Sequence, residues 1–225
     1  MKKSILRLLL VAIVSIGITL PVWQIASAGT GDDEDTGKLL EADSPLGGML
    51  DLLNCDDGGI ATWKKSMLTF KIDNAAGDDA KAIDAVRAGV LVWNKANGPY
   101  TLSEVVSGKA DITITTVEEL RTPTTIGNAD GVCKKGVNGF STMSISLKLD
   151  KLPLIGVKNL AAHETGHALG LGHSDRTGDL MSPSYEKFID GLLSVCPSNL
   201  DVQGLTSKQD PTKILPVLWL MLPIC

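Results

Sequence analysis

The chain has 225 residues, 44% hydrophobic and 21% charged, with a formal net charge of −5 at pH 7 and only three histidines. This is not the composition of a disordered, collagen-like or coiled-coil chain, and the acidic balance excludes nucleic-acid binding through a basic surface. The length allows one domain with short appendages.

Lys2, Lys3 and Arg7 form a positive start, Leu8 to Leu20 runs without charge, and Ala26-Ser27-Ala28 is a small-x-small site. Residues 1–28 read as a secretory signal peptide cleaved after Ala28. The alternative is an N-terminal membrane anchor, since apolar character continues through Trp23 and Ile25. A spanning helix needs about 20 apolar residues, however, and Pro21 interrupts the run. Cleavage removes three basic residues and no acid, leaving a more acidic secreted chain. Strong membrane association is therefore not expected, and the chain is expected to be a monomer. Cys55, Cys133, Cys196 and Cys225 lie far apart with no CxxC pair. In an exported protein they read as two disulfides, with three connectivities open.

Residues 29–60 carry GDDEDTG, DSPLGG and CDDGG, an acidic, mostly irregular leader or short propeptide. Order begins near Trp63. Leu68, Phe70 and Ile72 alternate with polar neighbours and predict a strand. Asp78 or Asp79 caps a helix to about Asn97, with Ile83, Val86, Val90 and Trp93 on one face and Gly98-Pro99 as its stop. Ala110 to Val117 reads as a strand. Gly127–Gly139 reads as a loop with a short edge strand near Val132–Lys135. Met143, Ile145, Leu147 and Leu149 alternate with polar residues and give the clearest strand. A second long helix follows Pro153, from about Val157 to Leu171. Ser198 and Asp201 predict a capping box for a short third helix to about Ser207. The apolar tail, Ile214 to Cys225, holds Pro216 and Pro223 and is too short to span a bilayer. This order of elements implies an α/β (α+β) sandwich with a mixed sheet.

All three histidines fall in AAHETGHALGLGHSD. His163 and His167 are four apart, within roughly 40° of each other around a helix, so both imidazoles can reach one cation. Gly170 lets the chain leave the helix through a conformation costly for a residue with a Cβ, bringing His173 round as a third ligand. Three neutral nitrogens on Zn2+ leave one position open, as catalytic zinc requires. Glu164 is offset from the metal and can instead take a proton from water on it.

His163, Glu164, His167, Gly170 and His173 fill every fixed position of HExxHxxGxxH, and the chain thereby resembles the metzincin zinc proteases. Gly178-Asp179-Leu180-Met181-Ser182-Pro183 is similar to their Met-turn. Ser174 after the third histidine, the Leu-Met-x-Pro turn, LTFKI, the late Trp-Asn of the first helix and GKADITIT bring it nearest the matrixins, the matrix-metalloproteinase-like peptidases. The likeness spans about Trp63 to Leu205. It implies a catalytic domain over 61–205 with a twisted mixed sheet, two long helices and a short C-terminal helix, followed by the apolar tail 206–225. It also implies Met181 as a packing floor beneath the zinc site, and Ser182, Pro183 and Tyr185 as walls of the specificity pocket. No histidine is left for a second, structural zinc, so one catalytic zinc is expected. LLNCDDGG around Cys55 does not match the family's zinc-blocking cysteine motif. Asn128, Asp130 and Gly131 are only a fragment of a Ca2+ site.

These readings converge on a secreted zinc-dependent endopeptidase acting on protein or peptide substrates. The substrate would lie along an edge strand within Val132–Phe140. The alternative is a secreted non-catalytic binding or structural protein on the same scaffold.

Overall fold

The alternating runs become one sheet because each strand's backbone finds a partner. The computed structural model describes residues 61–122, 124–133, 139–174, 179–182 and 196–209, all within the unit Gly37–Cys225. Among these residues the strands are β1 (Met67–Asp73), β2 (Thr101–Glu104), β3 (Ile112–Thr116), β4 (Gly127–Cys133) and β5 (Phe140–Leu147). The α-helices are α1 (Ala80–Leu91), α2 (Leu154–Leu169) and α3 (Asn199–Gln209). The sheet order is β2-β1-β3-β5-β4. β1 is parallel to β2 and β3, β3 is parallel to β5, and β4 closes the edge antiparallel to β5. The fold is α/β with a mixed sheet, as the order of elements implied.

One face of the sheet is apolar. Leu68, Phe70, Ile112, Ile114, Met143, Ile145 and Leu147 are all buried, and they cluster with Val86 and Val90 of α1 and Val157, Leu160 and Ala161 of α2. Each large side chain buried this way contributes about 1.5–3 kcal/mol. α2 is buried around most of its circumference, packed against α1 on one side and β4 and β5 on another. Small residues permit the helix crossing: a Cβ at Gly89 would stand 2.8 Å from Ala161 Cβ and 3.0 Å from Ala162 N. A carboxylate ties β1 to β3. Asp111 accepts the Thr69 backbone N–H at 2.8 Å, its hydroxyl at 3.0 Å and Lys65 Nζ at 2.7 Å.

Helix ends follow their caps. Asp79 accepts the Ala82 N–H at 2.8 Å and starts α1. The expected single helix to Asn97 instead tightens at Val92–Ala96 into a 3-10 segment, and Asn97 adopts a left-handed φ of 53°. That segment carries Trp93, whose indole N–H donates to the Ala162 carbonyl at 2.9 Å. α2 starts directly after Pro153, three residues before the expected position, because proline's fixed φ suits a helix start. Ser198 and Asp201 form the expected capping box: the Asp201 N–H reaches Ser198 Oγ at 3.2 Å, and the Ser198 N–H reaches Asp201 Oδ2 at 2.7 Å. α3 continues to Gln209, across the expected boundary at 205/206.

Two strands depart from expectation. β2 was not anticipated: of its four residues only Leu102 is buried, so it has no alternation to display. The edge strand near Val132–Lys135 begins earlier, at Gly127, because GNADGVC pairs with β5 through its backbone rather than through apolar side chains. The signal segment 1–28, the leader 29–60 with Cys55, Pro183, Tyr185 and the tail from residue 210 lie outside the described residues. Among the described residues no helix is long and apolar enough to cross a membrane.

Candidate active site

The four-residue spacing on α2 brings His163 Nε2 and His167 Nε2 to 3.1 Å. Each ring's other nitrogen meets a backbone carbonyl: His163 Nδ1 lies 2.6 Å from Leu180 O, and His167 Nδ1 lies 2.7 Å from Leu171 O. A carbonyl oxygen only accepts, so both protons sit on Nδ1 and both Nε2 atoms present lone pairs. Two lone pairs facing each other with no hydrogen between them call for a shared cation. Zinc–nitrogen bonds of about 2.0–2.1 Å in tetrahedral geometry set ligand nitrogens about 3.3 Å apart, close to the observed separation. The ligand atoms of His163, His167 and His173 all lie within 4.8 Å of one another.

The third histidine arrives as the glycine predicts. Gly170 caps α2 with φ 109°, a left-handed conformation that residues with a Cβ rarely adopt. The Leu171 N–H then returns to Gly166 O at 3.0 Å, and this fold-back sets the Leu171 carbonyl against His167. His163 is buried, His167 half-buried and His173 exposed, so the centre is open on the His173 side. Burial pushes His163 down to about 4 and His167 down to about 3. Both imidazoles are therefore neutral near pH 7, as metal binding requires.

Met181 lies fully buried under α2. A Cβ at Gly166 would collide with its sulfur and stand 3.0 Å from its Cε, so the thioether fills the space that the missing Gly166 side chain leaves on the ligand-bearing helix. The Met181 segment is bound from several sides. The Ser174 N–H donates to Met181 O at 2.7 Å and the Ser182 N–H to Asp179 O at 3.1 Å. Asp179 accepts the Leu180 N–H at 2.9 Å and the Ser174 hydroxyl at 3.2 Å. Ser198 Oγ bridges Asp179 and Asp201 at 3.4 and 3.1 Å. Burial, then the Asp179 charge, pushes Asp201 up to about 8, so this buried acidic pair holds a proton near pH 7.

Glu164 is also buried. Burial, and then the charge of Asp130, pushes its carboxyl up to about 8. It lies against the first residue of β4: a Cβ at Gly127 would stand 2.8 Å from Glu164 Cδ. Ser182 is buried beside Met181. Asn128 Nδ2 donates to Asp130 Oδ2 at 2.7 Å on exposed β4.

The structure thus brings together His163, Glu164, His167, His173 and Met181. Sequence reasoning missed the Leu171 and Leu180 carbonyls, Asp179 and Gly127. Backbone carbonyls leave no trace in residue identity, whereas Asp179 was visible within GDLMSP without its partners.

Residues 148–207 match a family model described as Matrixin. Among characterised proteins the chain is 33% identical over 171 residues to stromelysin-1 of Equus caballus, covering 70% of this chain and 35% of that protein. It is 31% identical to matrix metalloproteinase-19 of Mus musculus over 66% of this chain and 30% of that protein. It is 28% identical to interstitial collagenase of Bos taurus over 69% and 34%. The chain spans about a third of the length of the curated relatives it matches.

Proposed function

From a chain that is matrixin-like in sequence and fold, we propose zinc-dependent endopeptidase activity on protein or peptide substrates. The observation that carries this reading is the pair of Nε2 lone pairs 3.1 Å apart, with His173 beside them and Glu164 on the same helix. His163, His167 and His173 hold the metal. Bound there, zinc supplies Lewis acidity to a water and to the scissile carbonyl. Glu164 accepts the proton of the attacking water and returns it to the departing amine as the C–N bond breaks. Its raised proton affinity suits this exchange, and a neighbouring cation draws it down toward the carboxylate form.

The substrate lies extended against β4, whose outer edge faces no other strand among the described residues. Backbone hydrogen bonding there supplies sequence-tolerant affinity. This moves the docking edge from Val132–Phe140 to Gly127–Cys133, since Phe140 begins β5. Of the pocket walls expected from the sequence, Ser182 is buried next to Met181, and Pro183 and Tyr185 stay candidates on the sequence pattern alone.

Export through the segment 1–28 completes the reading. Its support is the sequence pattern, together with four well-separated cysteines without a CxxC pair, which suit an oxidising compartment. The acidic leader 29–60 then acts as a short propeptide, and N-terminal sequencing of the active secreted form reads its removal. A peptide-library digest tests the activity: many cuts that stop with a chelator and return with zinc are expected. An absence of metal-dependent cuts from the zinc-loaded, trimmed protein would overturn it.

A further inference from the structure

Gly127 opens the edge strand β4 and pairs with Leu147 of β5. Its φ is not in the left-handed region, so its backbone could belong to any residue. What it lacks is a side chain, and the space that side chain would take is occupied. Residues 127, 129 and 131 face the helices. Ala129 packs on the apolar core, and a Cβ at Gly131 would collide with the Met143 thioether. At 127 the occupant is polar: a Cβ would clash with Glu164 Oε1 and stand 2.8 Å from both Glu164 Cδ and Leu160 Cδ1. Unbonded carbons pack at about 3.5–4.0 Å. The strand backbone therefore approaches the Glu164 carboxyl more closely than any residue with a Cβ allows.

We propose that Gly127 is a positioning residue for Glu164: the bare backbone at the head of the edge strand forms the wall against which the Glu164 carboxyl rests. This rests on the reading of Glu164 as the general base. The carboxyl is the free end of a flexible side chain, whereas β4 and α2 are held by their own hydrogen bonds. A Cβ at 127 thus displaces the carboxyl before it displaces either element. The histidines are not touched, so zinc stays. A misplacement of about 1 Å in a reacting group costs on the order of 100-fold in rate.

The test is a four-protein comparison of wild type, Gly127→Ala, Glu164→Ala and the double variant, each as the trimmed secreted form loaded with zinc. Gly127→Ala is expected to keep one zinc, lose about 10- to 100-fold in kcat and leave KM within about twofold. Its melting temperature is expected to fall more in the wild-type background than in Glu164→Ala, where only Leu160 Cδ1 still competes for the space. If Gly127→Ala does not fold, a folded double variant carries the same meaning. An unchanged kcat overturns the proposal. So does an equal melting-temperature loss in both backgrounds, or failure of both Gly127→Ala proteins to fold. Full activity of Glu164→Ala alone would instead sink the general-base reading, leaving the melting comparison to judge the contact between the two residues.

Discussion

His163 Nδ1 and the Leu180 carbonyl, 17 residues further along the chain, are joined by a 2.6 Å hydrogen bond. That bond makes the Met181 segment part of the metal centre: it fixes the proton on Nδ1 and leaves Nε2 for the cation. Partners of this kind typically account for 10- to 100-fold in metal affinity.

Asp179 holds Leu180 in place through the Leu180 N–H, so its loss should be felt at the zinc. Asp179→Ala is expected to weaken zinc by about tenfold or more in a competition titration with a chromogenic chelator. Wild-type affinity would detach this turn from the centre.

Asp201 gives a pH dependence with a definite sign. Its folded value is raised to about 8 by burial and by Asp179, above an unfolded value of about 3.9. Its contribution is fully present below pH of about 4 and is lost as pH rises through about 8. Asp201→Asn keeps a donor toward Asp179 and removes the titration. Denaturant melts from pH 4 to 9 should show wild type losing stability relative to Asp201→Asn as pH rises. Parallel profiles would contradict the protonated assignment.

Asp111 has the opposite sign. Burial opposes its charge, but Lys65 and the two Thr69 donors outweigh burial and hold it below the usual carboxylate range. Its stabilisation is present above the unfolded pKa and lost as pH falls through the folded one. Asp111→Ala leaves the Thr69 donors without a partner and should cost about 1–3 kcal/mol at pH 7. In urea titrations that deficit should shrink as acid protonates the lowered carboxyl; a constant deficit would indicate packing alone.

Gly170→Ala forces a Cβ into φ 109°, costing about 1–2 kcal/mol. The change strains the turn that delivers both the Leu171 carbonyl and His173. Thermal melts with and without zinc should show the loss together with a smaller zinc-induced rise. An unaltered zinc-induced rise would mean that the turn does not shape the site.

The sequence made legible whatever repeats with a period or rests on local spacing. Leu68-Phe70, Ile112-Ile114 and Met143-Ile145-Leu147 declared β1, β3 and β5 by alternation. His163 and His167 declared a shared face, and Gly170 a helix exit. β2 escaped because one buried residue makes no pattern. β4 was displaced because Gly127, Ala129 and Gly131 are too small to read as an inward face, although each position is filled from inside by a neighbour's side chain or by the core. Gly127 against Glu164, Asp201 against Asp179 and Leu180 against His163 escaped for another reason. Each joins segments distant in sequence, so only the folded chain brings them together.

In the proposed reaction Glu164 moves the proton while His163, His167 and His173 hold the metal. Glu164→Gln keeps the side chain's size beside Gly127 and removes its basicity, so zinc content and peptide hydrolysis measured on one preparation separate the two roles. The account predicts one zinc per chain and a kcat lower by about 10²–10⁴-fold. One zinc with wild-type hydrolysis would contradict it.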